Sequence, residues 1–123
     1  MGSFSSWWKR WRRPRVDDEL PRSQLRSLER RLGYRFKDPQ VLVHALKHRS
    51  YVYARQERGL DSNERLEYLG DAVLDLLVAE FLFRTYVSKR EGELTEMKSQ
   101  LVSRAVLAKR ALDMDLGAFI LLS

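Results

Sequence analysis

The chain contains no cysteine and no long apolar run. Without cysteine it forms neither a disulfide framework nor a thiolate metal site, which fits a reducing compartment. No stretch approaches the roughly 18 apolar residues of a membrane-spanning helix. Nothing apolar follows the first basic residues, as it would in a signal peptide. We therefore expect a cytoplasmic protein with no membrane partner.

The alternation of apolar and polar residues that is typical of a half-buried strand is missing as well. Apolar residues make up 44% of the 123 residues, which is typical of a globular chain of about one domain. The sequence therefore predicts an all-α fold. We predict a basic, Trp/Arg-rich extension over residues 1–20 and one folded domain over residues 21–123.

The extension mixes aromatic and basic side chains, reading W-W-K-R-W-R-R-P-R over residues 7–15. Such a segment is suited to stacking on nucleic acid bases or to lying on an anionic membrane surface. A disordered basic tail is the simpler interpretation. Pro21, which follows three acids, marks the boundary.

Local signals place the helices. Gly33 suits the C-terminal stop of the first helix, and Asp38 followed by Pro39 is typical of the start of the second. Residues 116–122 are strongly apolar and require burial, so we expect the fold to continue past the last residue. Five helices are predicted, over about residues 23–32, 39–46, 62–86, 91–102 and 103–114.

The charge of the chain is unevenly distributed. The net charge is +6, but residues 61–83 carry six acids and one base, so this acidic island is −5 and the remainder is +11. A basic surface attracts a polyanion such as nucleic acid. The island would repel that polyanion unless metal ions bridge carboxylate to phosphate. The two features together favour phosphodiester chemistry over simple binding, with a solvated helix face as the plainer alternative.

Four acids of the island share one side of the third helix, because residues at i, i+3, i+7 and i+11 stack along one face. Like charges at that spacing repel by about 0.2–0.5 kcal/mol per neighbouring pair. A divalent cation is the obvious counter-charge. His44 and His48 also permit joint metal binding by spacing, but without a third ligand they favour structural or surface roles. The acids of the shared face are Glu64, Glu67, Asp71 and Asp75.

The segment carrying this face, E-R-L-E-Y-L-G-D-A-V-L over residues 64–74, resembles the signature of the ribonuclease III family at near-full length. Weaker matches stand in the order that the family has them, and together they cover about residues 22–123. They lie at residues 32–39 with 45–51, 91–103 and 116–123.

The resemblance implies a helical ribonuclease III endonuclease domain, incomplete at its C-terminus. It implies a homodimer that cleaves double-stranded RNA in rRNA and mRNA processing, using Mg²⁺ with Mn²⁺ as a substitute. By motif position, Glu67 matches a metal-ligating carboxylate and Asp71 matches the catalytic acid close to the metal and its water. Glu64 and Glu91 match acids that help to arrange the site.

The resemblance also implies a second acidic pair on a later helix, which would fall beyond Ser123. We therefore expect a fragment of a longer protein that is inactive or nearly so by itself. The alternative is a non-catalytic double-stranded-RNA-binding or scaffold relative with the same fold. Glu67 and Asp71 argue against that alternative, since a scaffold has no need of a repulsive acidic face.

Overall fold

A computed structural model describes residues 19–123, and the predicted extension therefore lies largely outside the described residues. Within that range the secondary structure is helical, with one isolated parallel bridge between Lys47 and Leu121. The all-α prediction is confirmed. The helices are α1 Arg22–Leu32, α2 Pro39–Leu46, α3 Arg49–Ala54, α4 Glu64–Thr85, α5 Glu91–Leu101 and α6 Arg104–Asp113, with short 3-10 helices at Gly59–Asp61 and Leu116–Ala118.

The chain divides into two compact units, Met1–Val43 and His44–Ser123, and the division falls inside α2. In the first unit, α1 buries Leu25 and Leu28 and ends at Gly33, whose φ of 66° is left-handed. Glycine adopts that conformation without a Cβ clash, so the predicted stop is confirmed. Asp38 Oδ1 accepts a hydrogen bond from the Gln40 N–H at 2.9 Å, as its predicted capping role requires.

The second unit contains a helix that the sequence signals did not predict. His48 caps α3, because its side chain accepts a hydrogen bond from the Ser50 N–H. The C-terminal segment returns to the same place, with Leu121 donating to the Leu46 carbonyl at 2.9 Å and accepting from the His48 N–H at 3.1 Å. Phe119 is buried, so the expected burial of the apolar ending is met in part, while Leu122 remains exposed.

The long helix α4 spans nearly the predicted range, but most of its apolar side chains are not buried in the described part of the chain. Leu82 is the only residue of α4 that is buried there. Apolar side chains occur all around α4, and α5, which packs against it, covers only part of its circumference. A Cβ at Gly70 would meet nothing within 4 Å, so no other described backbone approaches closely there. The exposed apolar residues of α4 include Tyr68, Leu69, Val73, Leu76, Leu77, Phe81 and Phe83.

Candidate active site

The start of α4 is held in place by the segment that follows α2. The Asn63 N–H donates to the Lys47 carbonyl at 2.8 Å, and Asn63 Nδ2 donates to the Ala45 carbonyl at 2.9 Å. His44 Nε2 lies 2.7 Å from the Ser62 carbonyl in a buried hydrogen bond. Because these hydrogen bonds involve the two residues immediately before Glu64, they fix the position and direction of the first turn of α4.

This arrangement decides the roles of the two histidines. His44 is buried and bonded to the backbone, whereas His48 lies beyond the end of α2 and caps α3. The geometry therefore supports structural roles for both histidines rather than joint metal binding. Sequence reasoning missed Asn63 as a positioning residue. Its place directly before the acidic helix was the available signal, since Asn favours such boundaries.

The structure sorts the acids of the island into paired and unpaired groups. Asp61 forms an ion pair with Arg58 at 3.1 Å, and Glu80 forms one with Arg84 at 2.7 Å. Burial opposes ionisation of Asp61, but the Arg58 hydrogen bond and the charges of Arg58 and Lys47 outweigh it, so the pKa of Asp61 is lowered. These two acids already have cations and are poor candidates for binding a metal.

Glu64 is only weakly paired and is therefore intermediate between the paired and the unpaired acids. Its Oε1 lies 3.9 Å from Arg49 Nη1, and its Oε2 accepts a 3.4 Å hydrogen bond from Ser62 Oγ. Both side chains of the ion pair are mostly exposed, so the pair is weakly held in solvent. Arg49 was not singled out from the sequence, because 15 positions separate it from Glu64.

Glu67 and Asp71 are exposed, and neither side chain forms a hydrogen bond or ion pair with any residue of the range 19–123. They lie at i and i+4 on α4, where Cβ atoms are about 5–6 Å apart. The positive N-terminal end of the helix favours a carboxylate in its first turn, which contains Glu67. Two open carboxylates one turn apart can share a hard cation.

The remaining predicted residues do not complete a metal-binding group. Glu91 begins α5, and its Oε1 accepts a hydrogen bond from Thr95 Oγ1 at 2.8 Å. Asp75 continues the exposed face of α4. Across residues 19–123 no three or more His, Asp or Glu side chains come together in a way that could hold a metal ion. The described chain therefore presents a carboxylate pair, which is part of a cation site rather than a whole one.

The chain is similar to a known protein family and to curated proteins. A family model described as Ribonuclease-III-like matches residues 38–123. Ribonuclease 3 of Carboxydothermus hydrogenoformans is 43% identical over 101 residues, covering 82% of this chain and 43% of that protein. Ribonuclease 3 of Nitratiruptor sp. is 44% identical over 100 residues, covering 81% and 42% respectively. The chain thus spans less than half the length of these relatives.

Comparison with solved structures gives the same relationship. The nuclease domain of ribonuclease III from Campylobacter jejuni, in a structure concerned with flexibility in a region involved in dimer formation, matches with a TM-score of 0.73. It is 44% identical, and the match covers 80% of this chain and 65% of that one. A second structure of the same nuclease domain matches with a TM-score of 0.70 and 45% identity.

Proposed function

Because the chain belongs to the ribonuclease III family, we propose that it forms part of an endoribonuclease that hydrolyses double-stranded RNA. The observation that carries this proposal is the pair Glu67 and Asp71. These carboxylates are exposed and unpaired within residues 19–123, although other acids of the same island have cationic partners. Open carboxylates that repel each other are costly in a scaffold and useful in a metal-dependent nuclease.

The donor set suits Mg²⁺, with Mn²⁺ as a substitute. Mg²⁺ prefers oxygen ligands, and it is commonly bound by one or two carboxylates together with waters and substrate phosphates. When bound, the cation neutralises phosphate charge and lowers the pKa of water for attack on phosphorus. Glu67 and Asp71 are both proposed as metal ligands and catalytic residues, and Asp71 would in addition orient the water that attacks phosphorus. Further ligands would come from outside residues 19–123, since those residues hold no larger group.

Glu64 and Glu91 are proposed to have auxiliary roles. Glu64 is restrained by Arg49 and Ser62, so it can orient the first turn of α4 beside Glu67. Glu91 is held by Thr95 at the start of α5, the helix that packs on α4. We assign to both the role of shaping the electrostatic field of the site rather than of binding the cation.

We also propose that the active form is a homodimer. An exposed apolar surface as extensive as that of α4 is typical of a protein interface. A two-fold axis near α4 would bury it against the same helix of a second copy. The open space at Gly70 would then admit a neighbouring backbone.

The proposed role in rRNA and mRNA processing belongs to the cytoplasm, which agrees with the lack of cysteine. No helix in residues 19–123 is both long and apolar enough to cross a membrane. Duplex RNA is read mostly through its shape, 2′-hydroxyls and phosphates, so recognition requires no base-reading motif.

A chimaera tests the proposal. This chain would replace the matching segment of Campylobacter jejuni ribonuclease 3, to which it is 44% identical over 99 residues. We expect the chimaera to cleave long duplex RNA with Mg²⁺, and Glu67→Gln or Asp71→Asn to abolish cleavage while duplex binding is retained. Asp75→Asn is the matched control on the same helix face and should remain active. Unchanged cleavage by Glu67→Gln would refute its metal role.

The chain by itself provides a second test. Because its carboxylate pair is only part of a cation site, we expect little or no cleavage of duplex RNA by residues 1–123 with Mg²⁺. Efficient cleavage at defined positions would contradict the need for ligands from elsewhere.

A further inference from the structure

A basic groove lies in the first unit, on residues that the proposed catalytic site does not use. One concavity of about 480 Å³ and another of about 380 Å³ share the lining residues Arg26, Glu29 and Arg35. We call the two together the α1 groove. Five basic residues and one acid line it, and the basic residues are Arg22, Arg26, Arg30, Arg35 and Lys37.

The charge of the α1 groove is poorly compensated within the described chain. Glu29, its only acid, accepts a 2.9 Å hydrogen bond from the Phe36 N–H through Oε1. Arg26, Arg35 and Lys37 are exposed, and none of them forms an ion pair with residues 19–123. The first turn of α1 contains no acid. Such an arrangement attracts an external anion.

The spacing of the cations indicates an extended anion rather than a single small one. Arg22, Arg26 and Arg30 recur every four residues on α1, so they stack along one face about 6 Å apart. Arg35 and Lys37 line the groove from the loop that follows α1. Cations arranged in a row follow the phosphates of a nucleic acid strand, whereas a small-anion site needs donors that converge on one point.

We propose that the α1 groove binds the phosphate backbone of duplex RNA, as a contact separate from the carboxylate pair on α4. The choice of RNA as the polyanion rests on the proposed function. Phosphate contacts position a protein on a duplex without reading its sequence. The α1 groove would thus add affinity and orientation, and the carboxylate pair would add chemistry.

The test measures binding of the full chain to a short duplex RNA by fluorescence anisotropy in EDTA, so that cleavage cannot interfere. The groove variant is Arg26→Gln with Arg35→Gln, and Arg30→Gln with Lys37→Gln is a second, independent pair. The matched control removes two exposed arginines of α6, Arg104→Gln with Arg110→Gln. Circular dichroism checks that each variant is folded, which we expect because the replaced side chains are exposed.

Each groove pair should weaken binding at least about tenfold at about 50 mM salt and should reduce the slope of log K against log salt by about 2. The affinity advantage of the wild type over each groove pair should therefore shrink about tenfold between about 50 and 200 mM salt. The α6 control should change both quantities less. Equal losses in groove and control variants would overturn the proposal, as would wild-type behaviour of both groove pairs or an absence of duplex binding by the wild type. Loss of binding to anionic vesicles, with RNA binding unchanged, would assign the groove to membranes and overturn it too.

The outcomes separate this inference from the proposed function. If the Glu67→Gln chimaera still cleaves while the groove variants lose affinity, the catalytic assignment fails and the groove assignment stands. If the groove variants bind normally while Glu67→Gln abolishes cleavage, the reverse holds. Inorganic phosphate is the remaining probe. If inorganic phosphate binds the groove at concentrations at which duplex RNA does not, the groove is a small-anion site and the proposal is contradicted.

Discussion

Replacing Leu82 with alanine should destabilise the chain far more than the same replacement at Leu76, although both leucines lie inside α4. Leu82 is 1% exposed and Leu76 is 67% exposed. The two substitutions remove the same atoms from the same helix, so the difference in helix propensity cancels. The difference between the two losses in the free energy of unfolding therefore reports the difference in burial of the two side chains.

The magnitude follows from these exposures. A leucine-to-alanine change removes three carbon atoms, each worth about 0.8 kcal/mol when buried, so transfer alone costs about 2.4 kcal/mol at Leu82. The cavity left behind brings the expected loss to about 3–4 kcal/mol. At Leu76 only about a third of the side chain is covered, so the expected loss is about 0.8 kcal/mol.

Urea denaturation followed by far-ultraviolet circular dichroism measures both losses. Analytical ultracentrifugation sets a concentration at which the chain is monomeric, because a dimer would cover Leu76. The expected gap is about 2–3 kcal/mol, which is a large fraction of the stability of a small domain. Equal losses, or a larger loss at Leu76, would refute the view that α4 is buried at Leu82 and exposed at Leu76.

Three further substitutions test other parts of the structure. Because the folded-state pKa of Asp61 lies below its ordinary 3.8, its stabilising contribution is fully present above that value and is lost as the pH falls through the lower folded pKa. In the Asp61→Asn variant, the free energy of unfolding should therefore fall less steeply with decreasing pH below about pH 4 than it does in the wild type. An unchanged pH dependence would contradict the Arg58 pairing. Asn63→Ala should cost about 0.5–1.5 kcal/mol in urea denaturation, because it removes the hydrogen bond to the Ala45 carbonyl. No loss would mean that this bond does not fix the start of α4. Gly70→Ala should stabilise the monomer by about 0.5–1 kcal/mol, since the added Cβ meets nothing within 4 Å; a lower melting temperature would show that the site is occupied.

Local chemistry allowed much of the fold to be predicted. Gly33 ends α1 through its left-handed backbone, and Asp38 caps the start of α2 through its side chain. Both effects depend only on residues nearby in the sequence, and both were predicted correctly. The six-residue helix α3 was missed, because it is too short for a periodic pattern and is capped by histidine. His48 is not among the residues that ordinarily signal a helix start.

Long-range packing was harder to predict. Helix α4 is rich in apolar residues that require covering, but Leu82 is the only one of its residues that is buried in the described part of the chain. Hydrophobicity identifies what must be covered without identifying what covers it. The C-terminal segment illustrates the same limit, since its pairing with residues 46–48 joins positions more than 70 residues apart.

The candidate site was predicted in part. Spacing alone placed the acids on one helix face, and resemblance singled out Glu67 and Asp71, whose roles stay a prediction. Sequence spacing did not predict which acids remain open. The Arg49 contact with Glu64 joins distant positions and appears only in three dimensions.

The central claim is that Glu67 and Asp71 bind a divalent cation, and Mn²⁺ titration of the ¹⁵N-labelled chain tests it most directly. Paramagnetic Mn²⁺ should broaden the amide signals centred on Glu67 and Asp71, and the combined Glu67→Gln and Asp71→Asn variant should lose that broadening. The Asp75→Asn control should keep it, since Asp75 is not assigned to the cation. Broadening that is centred elsewhere, or that persists unchanged in the combined variant, would contradict the assignment.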